Sequence, residues 1–259
     1  MSNPHLEQSE ATLRLVQFTD PHLFADRRGE MRGVNTYDSL NKVLDAARRD
    51  HWTPDAVLVT GDIAQDESRA GYRVFRELFD PLSLPVLCLP GNHDDPKFMR
   101  EELKDPFIVT RDVMFDSWCL PLLSTYVRGT AAGEISRDSL KRLAAALSAN
   151  EEKHVLICLH HQPVPVGSKW LDGVGLRNPE DLFSVIDKFE NVRGILWGHV
   201  HQEFDAERKG VRLMASPSTC RQFLPDSDQF ALDDGPPGYR WLRLGPDGKI
   251  ETGVVYVDD

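Results

Sequence analysis

The run Pro85-Val-Leu-Cys-Leu-Pro90 leads directly into Gly91-Asn92-His93-Asp94, and this stretch decides the fold. The apolar run predicts a short buried strand that is ended by proline and glycine. The loop after it carries an amide, an imidazole and a carboxylate, which are side chains that bind metals or phosphate. Alone, such a loop would be an ordinary polar turn, because asparagine tolerates positive φ. Four other apolar runs end in the same chemistry, which favours one shared site.

Two of these runs lie upstream. Leu13–Phe18 predicts the first strand, and Asp20 and His22 follow it. Residues 55–60 predict the second strand, and Asp62 follows it after a glycine. Amphipathic helical spacing between the strands gives the order strand–helix–strand–helix–strand, which is typical of a parallel α/β sheet. Sites in such sheets form outside the carboxyl ends of the strands.

Two runs lie downstream, and both end in histidines. Residues 154–159 lead into His160-His161, and residues 191–197 lead into Gly198-His199-Val200-His201. Two adjacent histidines at a strand end cannot both face one apolar side, so at least one of them faces polar groups. Six of the nine histidines occupy strand-end positions. We expect the other three at the surface, namely His5, His51 and His154.

The remaining pattern predicts helices at 35–50, 68–79, 136–148 and 180–189, with Ser136 as an N-cap. Residues 111–125 predict either separate strands or a hairpin. The tail predicts antiparallel strands at 211–216, 239–244 and 250–257, with a surface loop at 222–237. We expect a single domain over 1–259, with its core at about 13–216 and its C-terminal strands at about 238–257.

The composition is that of an ordinary globular protein of 259 residues, with 41% hydrophobic and 27% charged residues. Lys+Arg at 30 against Asp+Glu at 41 gives a net charge of −11, which argues against nucleic-acid or anionic-membrane partners. No apolar run reaches the length of a membrane span and residues 1–10 show no signal pattern, so we expect a cytoplasmic protein. The four cysteines lack CxxC spacing, which predicts buried free thiols.

The strand-end motifs supply seven nitrogen and oxygen ligands, which are too many for one four-coordinate zinc. They suit two ions of five or six coordination with open positions, and Asp62, in the middle of the set, is the natural bridge. Such a pair serves phosphate ester chemistry. His93, left free of metal, would act as general acid for the leaving alkoxide or stabilise transition-state charge. The predicted ligands are Asp20, His22, Asp62, Asn92, His160 or His161, His199 and His201.

In this order and spacing, the five motifs resemble those of the calcineurin-like metallophosphoesterases over roughly residues 13–203. The resemblance implies an α/β fold, a four-layer α/β/β/α sandwich with two mixed β-sheets, and a dinuclear centre at the strand ends. It assigns Asp20, His22, Asp62 and His201 to one ion, and Asp62, Asn92, His160 and His199 to the other.

Within that family, the stretch 160–178 and Gly198-His-Val-His-Gln202 are similar to the bacterial class III 3′,5′-cyclic-AMP phosphodiesterases. This similarity implies hydrolysis of cyclic AMP to 5′-AMP by a hydroxide that bridges the metals. Iron and manganese are the expected ions, with zinc or cobalt as alternatives, and a homodimer is expected. The separation of His160 from Gly198-His199 fits that group, so the resemblance favours His160 as the ligand, with His161 supporting it.

Two alternatives to a cyclic nucleotide phosphodiesterase differ in class. The first is a metallophosphoesterase for another phosphodiester or a phosphomonoester. The second is a scaffold that keeps the fold without the chemistry, which is disfavoured because every ligand position and His93 are filled. The substrate pocket would be formed by the loops at 28–37, 164–177 and 217–223.

Overall fold

The computed structural model describes residues 12–50 and 53–258. The strands of these residues are β1 (Leu13–Phe18), β2 (Glu30–Met31), β3 (Val34–Asn35), β4 (Ala56–Val59), β5 (Val86–Cys88), β6 (Phe107–Val109), β7 (Asp112–Met114), β8 (Trp118–Pro121), β9 (His154–Cys158), β10 (Val192–Trp197), β11 (Phe204–Arg208), β12 (Val211–Ala215), β13 (Gln222–Phe223), β14 (Leu232–Asp233), β15 (Gly238–Leu244) and β16 (Ile250–Tyr256). The helices are α1 (Thr36–Asp50), α2 (Arg69–Phe79), α3 (Pro96–Glu102), α4 (Arg137–Ala149), α5 (Lys169–Asp172) and α6 (Pro179–Ile186).

Two six-stranded sheets form the centre of the molecule. Sheet one has the order β16-β15-β1-β4-β5-β6, and β1, β4, β5 and β6 run parallel. Sheet two has the order β11-β12-β10-β9-β8-β7, and β12, β10, β9 and β8 run parallel. Antiparallel strands complete both sheets, so both are mixed, as predicted.

Three apolar cores stack between four layers. Alternate residues of each strand point to opposite faces, so one face of sheet one packs on α1 and α2, for example through Phe18 and Phe75. The other face, with Leu58, packs on Leu196 of sheet two. The outer face of sheet two packs on α4 and α6. The predicted α/β/β/α sandwich is confirmed, and we propose a single domain because both sheets share the middle core.

The local predictions hold where the pattern is strong. The helix predicted at 136–148 is α4, and its predicted cap Ser136 accepts a hydrogen bond from the backbone amide of Ser139. Ser68 caps α2 in the same way. The residues at 111–125 form the antiparallel hairpin β7–β8. All four cysteines are free and buried. No helix in the described part of the chain has the length and apolar character to cross a bilayer.

Three predictions about the C-terminal half and the histidines need correction. The strand predicted at 211–216 is antiparallel to β11, as expected, but it is parallel to its other neighbour β10, because the unpredicted β11 first reverses the chain. The predicted surface loop at 222–237 contains the β13–β14 ladder, and Gln222 is buried. His154 is half-buried, and its Nε2 lies 3.0 Å from the Pro246 carbonyl oxygen. His5 and His51 lie outside the described residues.

Candidate metal centre

The residues that follow five parallel strands meet at one edge of the sandwich. Sheet one contributes the loops after β1, β4 and β5, and sheet two contributes the loops after β9 and β10. The structure therefore brings together all seven predicted ligands and His93. Six of the ligands are buried, while Asn92 and His93 are half-buried: the six are Asp20, His22, Asp62, His160, His199 and His201.

The backbone at these loops is strained. Five of the predicted ligands have φ between 47° and 67°, a region that residues other than glycine rarely adopt: Asp20, His22, Asp62, His199 and His201. Such strain persists only where the surroundings enforce it, and it clusters at functional sites. Close packing accounts for two of the motif glycines: a Cβ on Gly91 would lie 2.1 Å from Asp62 Oδ1, and one on Gly198 would lie 2.1 Å from Thr19 Oγ1.

Asp62 lies between two groups of ligand atoms. Its Oδ2 is 3.8 Å from His22 Nε2 on one side and 3.4 Å from His160 Nε2 on the other. His22 Nε2 is in turn 3.2 Å from His201 Nε2, which is 3.4 Å from Asp20 Oδ1. Around His160, Asn92 Oδ1 lies 3.2 Å from Nε2. Asp62 is the shared member, which is the position expected of a bridging ligand.

The outer nitrogens of three histidines are fixed by oxygen acceptors. His22 Nδ1 donates to Gln65 Oε1 at 2.6 Å, His160 Nδ1 to the Thr60 carbonyl at 2.7 Å, and His201 Nδ1 to the Arg221 carbonyl at 2.6 Å. These bonds leave the Nε2 lone pairs aimed at the centre, as in metal-ligating histidines. The buried His199 Nε2 has no hydrogen-bond partner among the residues that the structure describes. The donor set therefore fits a pair of metal ions.

Electrostatics at the centre favours bound cations. Burial alone would lower the pKa of His160, but the carboxylates of Asp62 and Asp20 outweigh it and raise that pKa to about 9. Burial would raise the pKa of Asp62, yet the facing imidazoles, His160 foremost, hold it well below its usual range. The carboxylates thus stay ionised in a buried pocket, and their negative potential acts on any cation placed between them.

His161 differs from His160 in where its nitrogens point. Its Nε2 donates to the Ala131 carbonyl at 3.0 Å, and its Nδ1 accepts from Thr125 Oγ1 at 2.7 Å. Burial lowers the pKa of His161 to about 3, so the ring is neutral. Its ring packs 4.6 Å from that of His199. With both nitrogens engaged by Thr125 and Ala131, His161 is less suited to bind a metal than His160, whose Nε2 faces Asp62 Oδ2 at 3.4 Å.

Two residues outside the predicted ligand set hold the loops together: Gln65, which the sequence interpretation did not name, and Asp94, which it named only as a metal- or phosphate-competent carboxylate. Gln65 bridges His22 and His93, since its Nε2 lies 3.3 Å from His93 Nδ1. The fully buried Asp94 carboxylate accepts from the amides of Gly91 and Ile63, at 2.8 Å and 3.1 Å, and from the Tyr72 hydroxyl. Nothing in one sequence signals Gln65, but the position of Asp94 at the end of the loop motif is a signal that could have been used.

A buried hydrogen-bond chain, here called the relay, orients Asp20. Thr19 Oγ1 donates to Asp20 Oδ2 at 2.6 Å, and the backbone amide of His199 also reaches Oδ2 at 3.0 Å. Thr60 Oγ1 donates to Thr19 Oγ1 at 2.7 Å, and Gln17 Nε2 donates to Thr60 Oγ1 at 2.8 Å. The His199 amide also lies 3.2 Å from Oδ1, and Oδ1 faces His201 Nε2 at 3.4 Å.

The relay continues across both sheets to a buried cation. Gln17 Oε1 accepts from the Ser216 hydroxyl at the end of β12, and Ser216 Oγ accepts from Arg240 Nε of β15 at 3.1 Å. Gln17 Nε2 also donates to the Trp197 carbonyl of β10 at 3.2 Å. All members of the relay are buried.

Comparison with known proteins decides the family. Residues 13–203 match the calcineurin-like phosphoesterase family. The chain belongs to this family. This phosphoesterase is 42% identical over 251 residues to the 3′,5′-cyclic adenosine monophosphate phosphodiesterase CpdA of Pseudomonas aeruginosa. The alignment covers 97% of this chain and 92% of the relative. The protein of the same name from Escherichia coli K12 is 42% identical over 252 residues, covering 96% and 92%.

The fold of the phosphoesterase is also shared with solved structures. A dimetal phosphatase from Danio rerio superposes with a TM-score of 0.66 at 16% identity, covering 96% of this chain and all of that one. Similarity at this level of identity shows the fold alone. It agrees with the two mixed sheets described above.

A cavity of about 570 Å³ opens over the candidate metal centre of the phosphoesterase. Its floor includes His22, Asp62, His93 and His201. Residues from the loops predicted at 28–37, 164–177 and 217–223 line it, as expected. Several contributors were missed, among them Phe24, Ala131 and Phe230, and Phe230 lies in the stretch predicted to be a surface loop. The wall residues include Met31, Arg32, Trp170, Val174, Phe223 and Phe230.

Proposed function

We propose that this phosphoesterase hydrolyses 3′,5′-cyclic AMP to 5′-AMP with the help of two bound metal ions. The observation that carries the proposal is the arrangement of imidazole and carboxylate ligands around Asp62 at the floor of an open cavity. The names of the relatives from Pseudomonas aeruginosa and Escherichia coli support cyclic AMP as the substrate.

Two groups of residues would hold the ions, with Asp62 common to both. Asp20, His22 and His201 form one group, and their ligand atoms lie within 4.8 Å of one another. Asn92, His160 and His199 form the other. When bound, the ions supply polarisation of the phosphate and activation of water. Because the donors are carboxylate, amide and imidazole without thiolate, we propose iron and manganese, with zinc or cobalt as alternatives.

His93 is the group that would act on the leaving oxygen. Gln65 Oε1 accepts from His22 Nδ1, so the Gln65 amide nitrogen must face His93 Nδ1. An N–H donor at that position requires an unprotonated Nδ1 and places the ring proton of His93 on Nε2. Gln65 therefore orients the His93 ring so that its Nε2–H can donate a hydrogen bond to the charge developing on the 3′-oxygen as its bond to phosphorus breaks.

The direct test is chromatography of 3′,5′-cyclic AMP incubated with the purified protein and Mn²⁺, beside a sample containing a chelator. We expect 5′-AMP to form only without the chelator. If cyclic AMP stays intact while bis(p-nitrophenyl) phosphate is cleaved, the protein is still a phosphoesterase, but cyclic AMP is not its substrate. No turnover of either compound by the metal-loaded protein would favour the scaffold alternative.

Three further properties belong to the same proposal. We propose a cytoplasmic protein, supported by four buried free thiols, which suit a reducing compartment. We propose that it does not bind nucleic acid, since its net charge is −11. We propose a homodimer, on the resemblance stated above, and light scattering coupled to size exclusion measures it.

A further inference from the structure

One wall of the cavity is aromatic, and the proposed chemistry at phosphorus does not use it. Trp170 packs against Phe223 and Phe230 with ring centroids 5.0 Å and 5.1 Å apart, and Phe223 and Phe230 are 5.5 Å apart. These three rings are called the aromatic wall below. Phe223 also stacks on His201, with centroids 4.1 Å apart and planes 11° apart. The aromatic wall is thus in direct contact with the candidate metal centre.

Phe230 presents the wall to solvent. It lines the cavity and is 45% exposed, one of four large exposed hydrophobic side chains among the described residues. The guanidinium carbon of Arg32 lies 4.9 Å from its ring centroid. Arg32 itself forms no ion pair within residues 12–50 and 53–258. A large exposed ring beside a binding site gains burial only when a ligand covers it.

The wall and the metal centre together fit a phosphate ester that carries a planar ring. Aromatic faces and arginine guanidinium planes are the surfaces on which nucleobases stack. We infer that the aromatic wall is the subsite for the base of a 3′,5′-cyclic nucleotide, which rests on the proposed function. A base stacked on a ring face of this wall gains with its stacked area, so we expect cyclic purine nucleotides to bind better than cyclic pyrimidine nucleotides.

The test compares Phe230→Ala with a matched control, Leu224→Ala. Leu224 precedes β14 on the same hairpin and is 44% exposed, but it does not line the cavity. The substrates are cyclic AMP, cyclic CMP and ribose 3′,5′-cyclic phosphate without a base. Thermal unfolding of both variants checks that the fold is retained.

We expect Phe230→Ala to raise KM for cyclic AMP by about 5- to 50-fold, to raise it less for cyclic CMP, and to leave hydrolysis of the base-free substrate unchanged. A kcat that stays within about twofold of the wild-type value would place the loss in binding. Leu224→Ala should match the wild type with all three substrates.

A failure of the base-subsite proposal can be distinguished from a failure of the proposed function. If the wild type cleaves cyclic AMP and Phe230→Ala does so with an unchanged KM, or if the base-free substrate suffers equally, the base subsite is wrong and the proposed function stands. If the metal-loaded wild type does not cleave cyclic AMP, the proposed function is wrong and the subsite falls with it.

Discussion

Replacing each of the two adjacent histidines by phenylalanine separates the proposed ligand from its neighbour. Both rings are fully buried, and phenylalanine keeps a ring of similar size at either position. His160→Phe removes the Nε2 donor beside Asp62 and should weaken binding of one ion by more than about 100-fold, since loss of a mere supporting partner costs roughly 10- to 100-fold. His161→Phe removes no donor to the metal, so we expect a change below about 10-fold.

The stability of the metal-free protein should not separate the two variants. His161 makes two hydrogen bonds to protein groups, and His160 also makes two, to the Thr60 carbonyl and to Asn92 Oδ1. Each buried partner left unpaired costs about 1–3 kcal/mol, so both variants should be destabilised in the metal-free state, and only His160→Phe should lose an ion.

Metal content by mass spectrometry, chelator competition and urea unfolding of the metal-free protein measure these effects. If His161→Phe loses an ion while His160→Phe keeps both, the assignment of His160 is wrong.

Three further substitutions test the metal centre and the residues that support it, and a fourth tests the ion pairs of Glu102. Asp62→Ala should lose both metal binding and turnover, and a variant that retains two ions by mass spectrometry contradicts the bridging role. His93→Ala should keep both ions and lower kcat by about 100- to 1,000-fold, and unchanged steady-state turnover would remove His93 from the mechanism. Thr60→Val breaks the relay and should weaken metal binding by about 10-fold in chelator competition, while Thr60→Ser, which keeps the hydroxyl, serves as the control. Hydrogen bonds from Arg73 and Arg69 lower the pKa of Glu102 from 4.5 to about 2. That stabilisation is present above pH 4.5 and is lost as the pH falls towards 2, so Glu102→Gln should reduce the difference in unfolding free energy between pH 5 and pH 2.5.

The clustering of the candidate ligands could be predicted because its signals are local. Each chemically competent residue follows an apolar strand within a few positions, as Asp62 follows β4 and His160 follows β9. Parallel strands in one sheet place such residues at a common edge, so residues that follow successive strands in the sequence are expected to lie close together in space. The site residues that were predicted are therefore the ones whose position depends on a single strand end.

The supporting residues could not be predicted, because their roles depend on packing between distant segments. Gln17 reaches Thr60 over 43 positions and the Trp197 carbonyl over 180. Gln17 lies in a strand that also carries the exposed Arg14, and the sequence does not show that Gln17 is the buried one of the two or which groups it contacts. The role of Phe230 was missed for another reason: its loop is rich in Asp, Pro and Gly, a composition that indicates exposure and does not show that one ring turns onto Trp170.

The elements of the fold that were not predicted also differ in whether the sequence carries a signal for them. The edge strand β11 alternates half-buried and exposed residues and lacks a strong apolar pattern. Helix α3 is only seven residues long, but it does carry a readable start, since the Asp95 side chain caps it and Pro96 occupies its first position. That start was a usable signal.

The relay also fixes how the two sheets are aligned with each other. Asp20, His22, Asp62 and Asn92 belong to loops of sheet one, whereas the remaining proposed ligands belong to loops of sheet two. Gln17 holds partners on both sheets at once, so sliding one sheet by a single residue, about 3.3 Å, would break its bonds. The spacing between the proposed ligands therefore depends on the alignment of the two sheets. The cavity loop at 217–223 also contributes, because Arg221 and Phe223 contact His201, so a change in this loop would reach the metal centre as well as the substrate pocket.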